Sequence, residues 1–305
     1  MITDMQTALV TGATSGLGFE AAAQLADSGV NRVMITGRSA EKAEAAGRAL
    51  TERTGCSVFV PVVLDNDNLA TVEAAAKTLV ASGAVIDLLI LNAGIAPPSS
   101  VTMSADGFER TISSSLIGHH VLAARLLETG LLTANARIVI ASSAAARGDV
   151  PTFVPVDFRA LASGLGGDLE AAVEAQMRMS APAKYKAGEV YATAKVLVAQ
   201  WAAEMASRVP SAMAVSAVSP GSTPETNVIR NGTFIMRHLM VPFFKLIPGM
   251  SHSVADGARR YLDAADRGTE VTGKFLGSAP KKLTGALHTR SEERRVGKSV
   301  DLGGR

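Results

Sequence analysis

Short runs of β-branched and apolar residues alternate along the chain with longer, alanine-rich stretches whose apolar positions recur every three or four residues. The runs read as strands at 7–11, 32–36, 57–62, 86–91, 137–141, 212–218 and a short 274–276. Between them the pattern predicts helices near 17–28, 40–53, 69–82, 105–128, 189–208 and 253–265. Most of the strands are apolar on both faces, as in a parallel sheet covered by helices on both sides. The alternation predicts an α/β fold with a doubly wound, parallel, seven-stranded sheet. No linker, composition break or internal repeat divides the chain, so residues 1–289 are expected to form one domain.

Two segments break the rhythm. Residues 144–188 insert a proline-punctuated loop and a helical stretch, D-L-E-A-A-V-E-A-Q-M-R-M, and residues 225–250 form an apolar excursion. The tail from Arg290, R-S-E-E-R-R-V-G-K-S-V-D-L-G-G-R, has the pattern of no packed element. It reads as translated sequencing-adapter run-on, with a natural disordered basic tail as the alternative.

Apolar residues make up 47% of the 305, enough for a full-sized core, and the net charge is only +2. That charge supplies no global field for nucleic acid or anionic lipid. The single cysteine, Cys56, excludes an internal disulfide and any multi-cysteine metal site, so no metal is expected. The first residues lack a signal-peptide core. The stretch 234–248 is too short and too charged to span a bilayer, and the expected location is the cytoplasm.

Candidate chemistry begins at T-A-L-V-T-G-A-T-S-G-L-G, residues 7–18, where a strand runs into Gly12, Gly16 and Gly18. Such a turn lets the chain reverse tightly and brings a pyrophosphate to a helix amino terminus, where free N–H groups and the dipole favour an anion. An ordinary strand–helix turn is the bland alternative. At the end of the second strand an acidic residue would hydrogen-bond the ribose 2′-hydroxyl of NAD(H). Here T-G-R-S places Arg38 there, with Ser39 beside it. A guanidinium pairs with a 2′-phosphate, which favours NADP(H) over NAD(H).

Tyr191 stands in Y-A-T-A-K with Lys195 four residues on. Residues four apart share a helix face, so an ammonium there is expected to lower the phenol pKa and fit the tyrosine for acid/base work. Upstream, R-I-V-I-A-S-S brings Ser142 and Ser143 to the carboxyl edge of the sheet, where ligands bind in this architecture.

Taken in order, T-G-A-T-S-G-L-G, L-D-N at 64–66, N-A-G at 92–94, S-S at 142–143, Y-A-T-A-K and S-P-G at 219–221 resemble the short-chain dehydrogenase/reductase family over about residues 5–275. The resemblance implies a single-domain Rossmann fold and hydride transfer between NADP(H) and a carbonyl or alcohol. It implies that Tyr191 donates the proton to the substrate oxygen, that Lys195 lowers its pKa and holds the nicotinamide ribose, and that Ser143 hydrogen-bonds that oxygen. Thr11, Gly12, Ser15, Gly16, Leu17 and Gly18 would line the pyrophosphate. Asp65, with Asn66 beside it, would meet the adenine, Asn92, Ala93 and Gly94 would border the ribose, and Pro220 with Gly221 would pass the nicotinamide. Thr223 or Thr226 would touch the nicotinamide amide or the phosphates, Pro224 blurring which.

The chain departs from the family at two places. Where the family carries an asparagine before the serine strand, S-L-I-G-H has Ser115, whose single hydroxyl changes how a relay water can be held. The neighbouring His119 and His120 read as structural. Ser143 and Tyr191 are also 48 positions apart, and insertions of that kind resemble protochlorophyllide reductases and retinol dehydrogenases. The insertion, with Met177 and Met179, and the excursion, with Phe234, Met236, Leu239, Phe243 and Phe244, suggest an apolar pocket for a bulky ketone, aldehyde or alcohol. Core or interface packing is the competing reading of these residues. The resemblance also implies a homo-oligomer paired through the helices near 105–128 and 189–208. Against the enzyme stands a non-catalytic NADP(H)-binding sensor or scaffold. A methyltransferase using the same glycine turn leaves Y-A-T-A-K unexplained.

Overall fold

The computed structural model of the chain describes residues 1–148, 153–223, 251–279, 282, 284–285 and 287–290. Their strands are β1 Thr7–Val10, β2 Arg32–Gly37, β3 Phe59–Val63, β4 Ile86–Leu91, β5 Leu132–Ala141, β6 Ala214–Val218, β7 Lys274–Gly277 and β8 His288–Arg290. They form one sheet in the order β3-β2-β1-β4-β5-β6-β7-β8. The first seven are parallel, as the apolar runs predict; β8 pairs antiparallel with β7, Gly277 opposite His288. The expected count of seven is therefore one short. H-T-R has no apolar run to mark it, because His288 and Thr289 stay exposed and bury nothing against the core.

The helices are α1 Gly16–Asp27, α2 Ala40–Thr54, α3 Leu69–Ala81, α4 Arg110–Ile112, α5 Gly118–Glu128, α6 Phe158–Ser163, α7 Leu169–Arg178, α8 Ala187–Arg208 and α9 Val254–Arg267. Strand side chains divide with period two between cores on opposite faces of the sheet. Ala8 and Val10 of β1 and Leu88 and Ile90 of β4 join Leu25, Leu50, Tyr261 and Leu262. Leu9, Leu89 and Leu91 join Val72, Leu122, Val190 and Val198. After β3 the chain returns to pair β4 with β1, and that reversal opens a crevice at the carboxyl ends of the two strands.

Local chemistry sets the helix ends. Ser39 accepts the Lys42 N–H at 3.4 Å to start α2, and Gly55 at φ 72° ends it. Asn68 accepts from Ala70 and Thr71 to start α3. The single helix expected over 105–128 begins five residues later. Gly107, at φ 75°, turns the chain, and the Glu109 carboxylate accepts the Thr111 and Ile112 N–H groups at 2.8 and 3.0 Å. The helix then passes through a π turn, Ser113–Ile117, in which Gly118 N–H donates to Ser113 O five residues back.

In the insertion, Asp157 and Asp168 cap α6 and α7, which share a small core of Phe158, Ala162 and Ala172. Glu109 N–H donates to Met177 O at 2.8 Å, and the Arg178 guanidinium lies 4.3 Å over the Phe108 ring. Met177 and Met179 pack against the main core, which answers to the packing reading of these two residues. Phe234, Met236, Leu239, Phe243, Phe244 and Thr226 lie outside the described residues. His252 N–H donates to Ser222 O at 2.7 Å on either side of that excursion. Among the described residues no helix is long and apolar enough to cross a membrane.

Candidate active site

The crevice is a cleft of about 640 Å³ at the carboxyl ends of β1, β2 and β4. Gly12, Thr14, Ser15, Gly16 and Leu17 line one wall; Arg38, Lys42, Asp65 and Asn66 line one end; Asn92, Ala93, Gly94, Tyr191, Lys195 and Pro220 line the rest. Thr11, Gly18, Ser39, Ser115, Ser143, Gly221 and Thr223 stand outside this lining.

The turn is built by two of its glycines and filled by neither. Gly12 sits at φ 65°, and a Cβ on it would press 2.9 Å from Ala93 Cα. A Cβ on Gly18 would stand 2.5 Å from both Gly12 O and Asn92 Nδ2, so that glycine closes the turn upon itself rather than clearing a phosphate path. Gly16, at φ 58°, lines the cleft. Ser15 makes no side-chain cap bond, so the first turn of α1 meets the cleft uncapped, as an anion site needs. This cradle fits the pyrophosphate of a dinucleotide.

Asn92 is spent on holding the turn. Its Nδ2 donates to Thr11 O at 3.0 Å and Gly12 O at 3.4 Å, while its Oδ1 accepts from Tyr261 O–H at 3.3 Å. Tyr261, fully buried on α9, escapes sequence reasoning because nothing near residue 261 marks it. Lys42 escapes it as well, although it lies four positions after Arg38 and one turn into α2.

Tyr191 and Lys195 rise from α8 on one face, as their spacing predicts, with the Lys195 Nζ 5.8 Å from the Tyr191 ring centre. Lys195 is buried, and its Nζ donates to Ala141 O at 3.2 Å. Burial lowers its pKa to about 8. Burial raises the Tyr191 pKa, and the hydrogen bond from Ser143 pulls the other way. The net direction is upward, opposite to the one expected from the helix spacing, and its largest cause is burial. Ser143 also accepts the Ala145 N–H at 3.2 Å, and Ser142 donates to Lys195 O at 3.1 Å, which ties β5 to α8. Phe153, from the insertion, lies 5.4 Å from the Tyr191 ring centre.

Ser115 lies on the π turn with its Oγ buried and unpartnered. A Cβ on Gly94 would be 3.1 Å from Ser115 Oγ and 3.8 Å from Lys195 Nζ, so hydroxyl and ammonium converge on one spot. The arrangement joins an anion cradle to a half-buried phenol and a buried ammonium and hydroxyl, which is equipment for proton transfer beside a dinucleotide.

A family model for short chain dehydrogenases matches residues 6–155. A short-chain dehydrogenase/reductase, phmF, of Phaeosphaeria nodorum is 27% identical over 301 residues, 96% of this chain and 83% of the relative. Protochlorophyllide reductase B of Hordeum vulgare is 31% identical over 252 residues, 79% of this chain and 62% of the relative, so the chain spans under two thirds of that protein. Among solved structures, an actinorhodin polyketide ketoreductase with NADPH superposes with a TM-score of 0.64 at 20% identity, covering 91% of this chain and 97% of that one.

Proposed function

Because the chain belongs to the short-chain dehydrogenase/reductase family, we propose that this oxidoreductase uses NADP(H) to interconvert a bulky apolar carbonyl and its alcohol, with Tyr191 as the acid/base. The observation that carries the reading is that Tyr191 and Lys195 line the same cleft as the glycine turn. The nicotinamide, when bound, supplies or accepts the hydride. In the reducing direction Tyr191 gives its phenolic proton to the carbonyl oxygen as that oxygen becomes a hydroxyl. A raised pKa keeps the phenol protonated at neutral pH and so ready for this direction. Ser143 orients the same oxygen by hydrogen bonding, and Lys195 contributes positive charge beside the phenol.

The NADP(H) reading is supported by Arg38 and Lys42, two cations that line one end of the cleft. Charge-assisted bonds to a 2′-phosphate are worth about 1.5–3 kcal/mol each. Arg38→Ala is therefore expected to weaken NADPH binding by roughly 10- to 100-fold and leave NADH binding unchanged, measured by quenching of protein fluorescence. The function itself is tested by NADPH and NADH oxidation against bulky apolar ketones, aldehydes and quinones. Turnover with NADPH alone supports the whole reading, and turnover with NADH alone overturns the cofactor. NADPH binding without turnover of any carbonyl would favour a sensor, for which the family asparagine's replacement by Ser115 is the one supporting feature.

A further inference from the structure

His119, the buried histidine one residue beyond the close-packed Gly118, bridges the two halves of the site. A Cβ on Gly118 would come within 2.5 Å of Asn66 O, so the helix lies flush on the Asn66 backbone at this step. His119 Nε2 is 2.9 Å from Thr11 Oγ1, and its Nδ1 is 3.1 Å from Ser115 O. Thr11 Oγ1 already accepts the Asn92 and Ala93 N–H groups at 2.9 and 3.0 Å. Its own proton is best placed for His119 Nε2, since the alternative acceptor, Ile90 O, is 3.5 Å away. A carbonyl only accepts, so Nδ1 must carry the ring proton. One neutral tautomer thus satisfies every bond. Burial and the nearby Lys195 charge favour that uncharged ring.

The π turn gives this contact its reach. Asn66 Nδ2 donates to Ser114 O at 3.1 Å, and His119 Nδ1–H donates to the next carbonyl, so two side chains hold the two carbonyls flanking the Ser115 position. We propose that His119 is a positioning residue that locks the Thr11–Gly12 cofactor turn to the helix turn carrying Ser115, so that cofactor binding and the Lys195 side of the site are set by one side chain. The proposal rests on the oxidoreductase reading for its catalytic half only. Its cofactor half concerns Thr11 and the β4 end, whatever the reaction.

The two ring nitrogens can be separated by substitution. His119→Asn keeps a donor at the Nδ1 position and loses the acceptor for Thr11. His119→Gln places its amide oxygen near Nε2 and loses the donor to Ser115. One lost buried hydrogen bond amounts to roughly a tenfold effect. His119→Asn is expected to weaken NADPH binding about tenfold with kcat within about threefold of wild type. His119→Gln is expected to lower kcat about tenfold with NADPH affinity within about twofold. Equal loss of affinity and kcat in both variants, tracking their melting temperatures, would reduce His119 to a packing residue and overturn the proposal. No change in either would overturn it too. Nitrogen-15 NMR of the cofactor-free protein should show Nδ1 protonated and Nε2 bare from pH 5 to 8, and the reverse tautomer refutes the bridge. If the wild type reduces no carbonyl, the oxidoreductase reading fails, while the tautomer and the contrast in NADPH affinity still decide this proposal.

Discussion

Tyr191→Phe should abolish most turnover, lowering kcat by about 10²- to 10⁴-fold, the range over which a positioned proton donor acts. NADPH affinity should stay within about twofold, because the ring remains against Phe153 and Lys195 while only the hydroxyl is lost. Stability should change little, since the neutral phenol loses only its hydrogen bond with Ser143. Stopped-flow single turnovers and equilibrium cofactor titration measure the two quantities separately. A variant that turns over like wild type would remove Tyr191 from the chemistry and leave the cleft a binding site.

Lys195→Met should move stability and activity in opposite directions. The lysine is buried with one carbonyl as hydrogen-bond partner, and its folded pKa of about 8 lies below the ordinary lysine value of 10.5. At about 1.4 kcal/mol per pKa unit, holding the ammonium at neutral pH costs up to about 3 kcal/mol. Between pH 8 and 10.5 the unfolded chain binds more protons than the folded one, so wild-type stability climbs as pH rises through that window. Below pH 8 both states carry the proton and the cost is paid in full. Methionine, of similar length and uncharged, should raise the cofactor-free melting temperature at pH 7 by roughly 5–10 °C. It should also flatten the climb between pH 8 and 10.5, while kcat falls by at least about 100-fold. Thermal melts from pH 6.5 to 10.5 of both proteins decide it. A destabilised variant with the same pH dependence as wild type would show that Lys195 holds the fold rather than storing charge for catalysis. In the wild type, reduction should weaken as pH rises past about 8, where the ammonium discharges.

Both effects trace to burial, which the sequence carries only indirectly. Y-A-T-A-K states that a lysine and a tyrosine share a helix face, and that part is seen in α8. It does not state how deeply the face is packed. Depth sets the direction of the phenol shift, because desolvation is its largest cause and raises it. The glycine turn divides in the same way. That Gly12 needs a left-handed conformation follows from its place after a strand, whereas Gly18 is required by Asn92, which arrives from β4, 74 positions later in the chain. Tyr261 was invisible for a related reason: it joins the cleft from α9, which meets Asn92 only once the sheet has formed.

The sequence by itself determined the period-two strands, the helix spacing, the order of motifs and hence the doubly wound sheet, because these depend on residues within a turn or two of one another. The tertiary structure alone decided the π turn under Ser115, the antiparallel β8, the tautomer of His119 and the sign of the Tyr191 shift. Helical periodicity looks the same through a π turn, the exposed β8 leaves no apolar run, and a proton's place is set by which distant carbonyl and hydroxyl the fold brings to the ring.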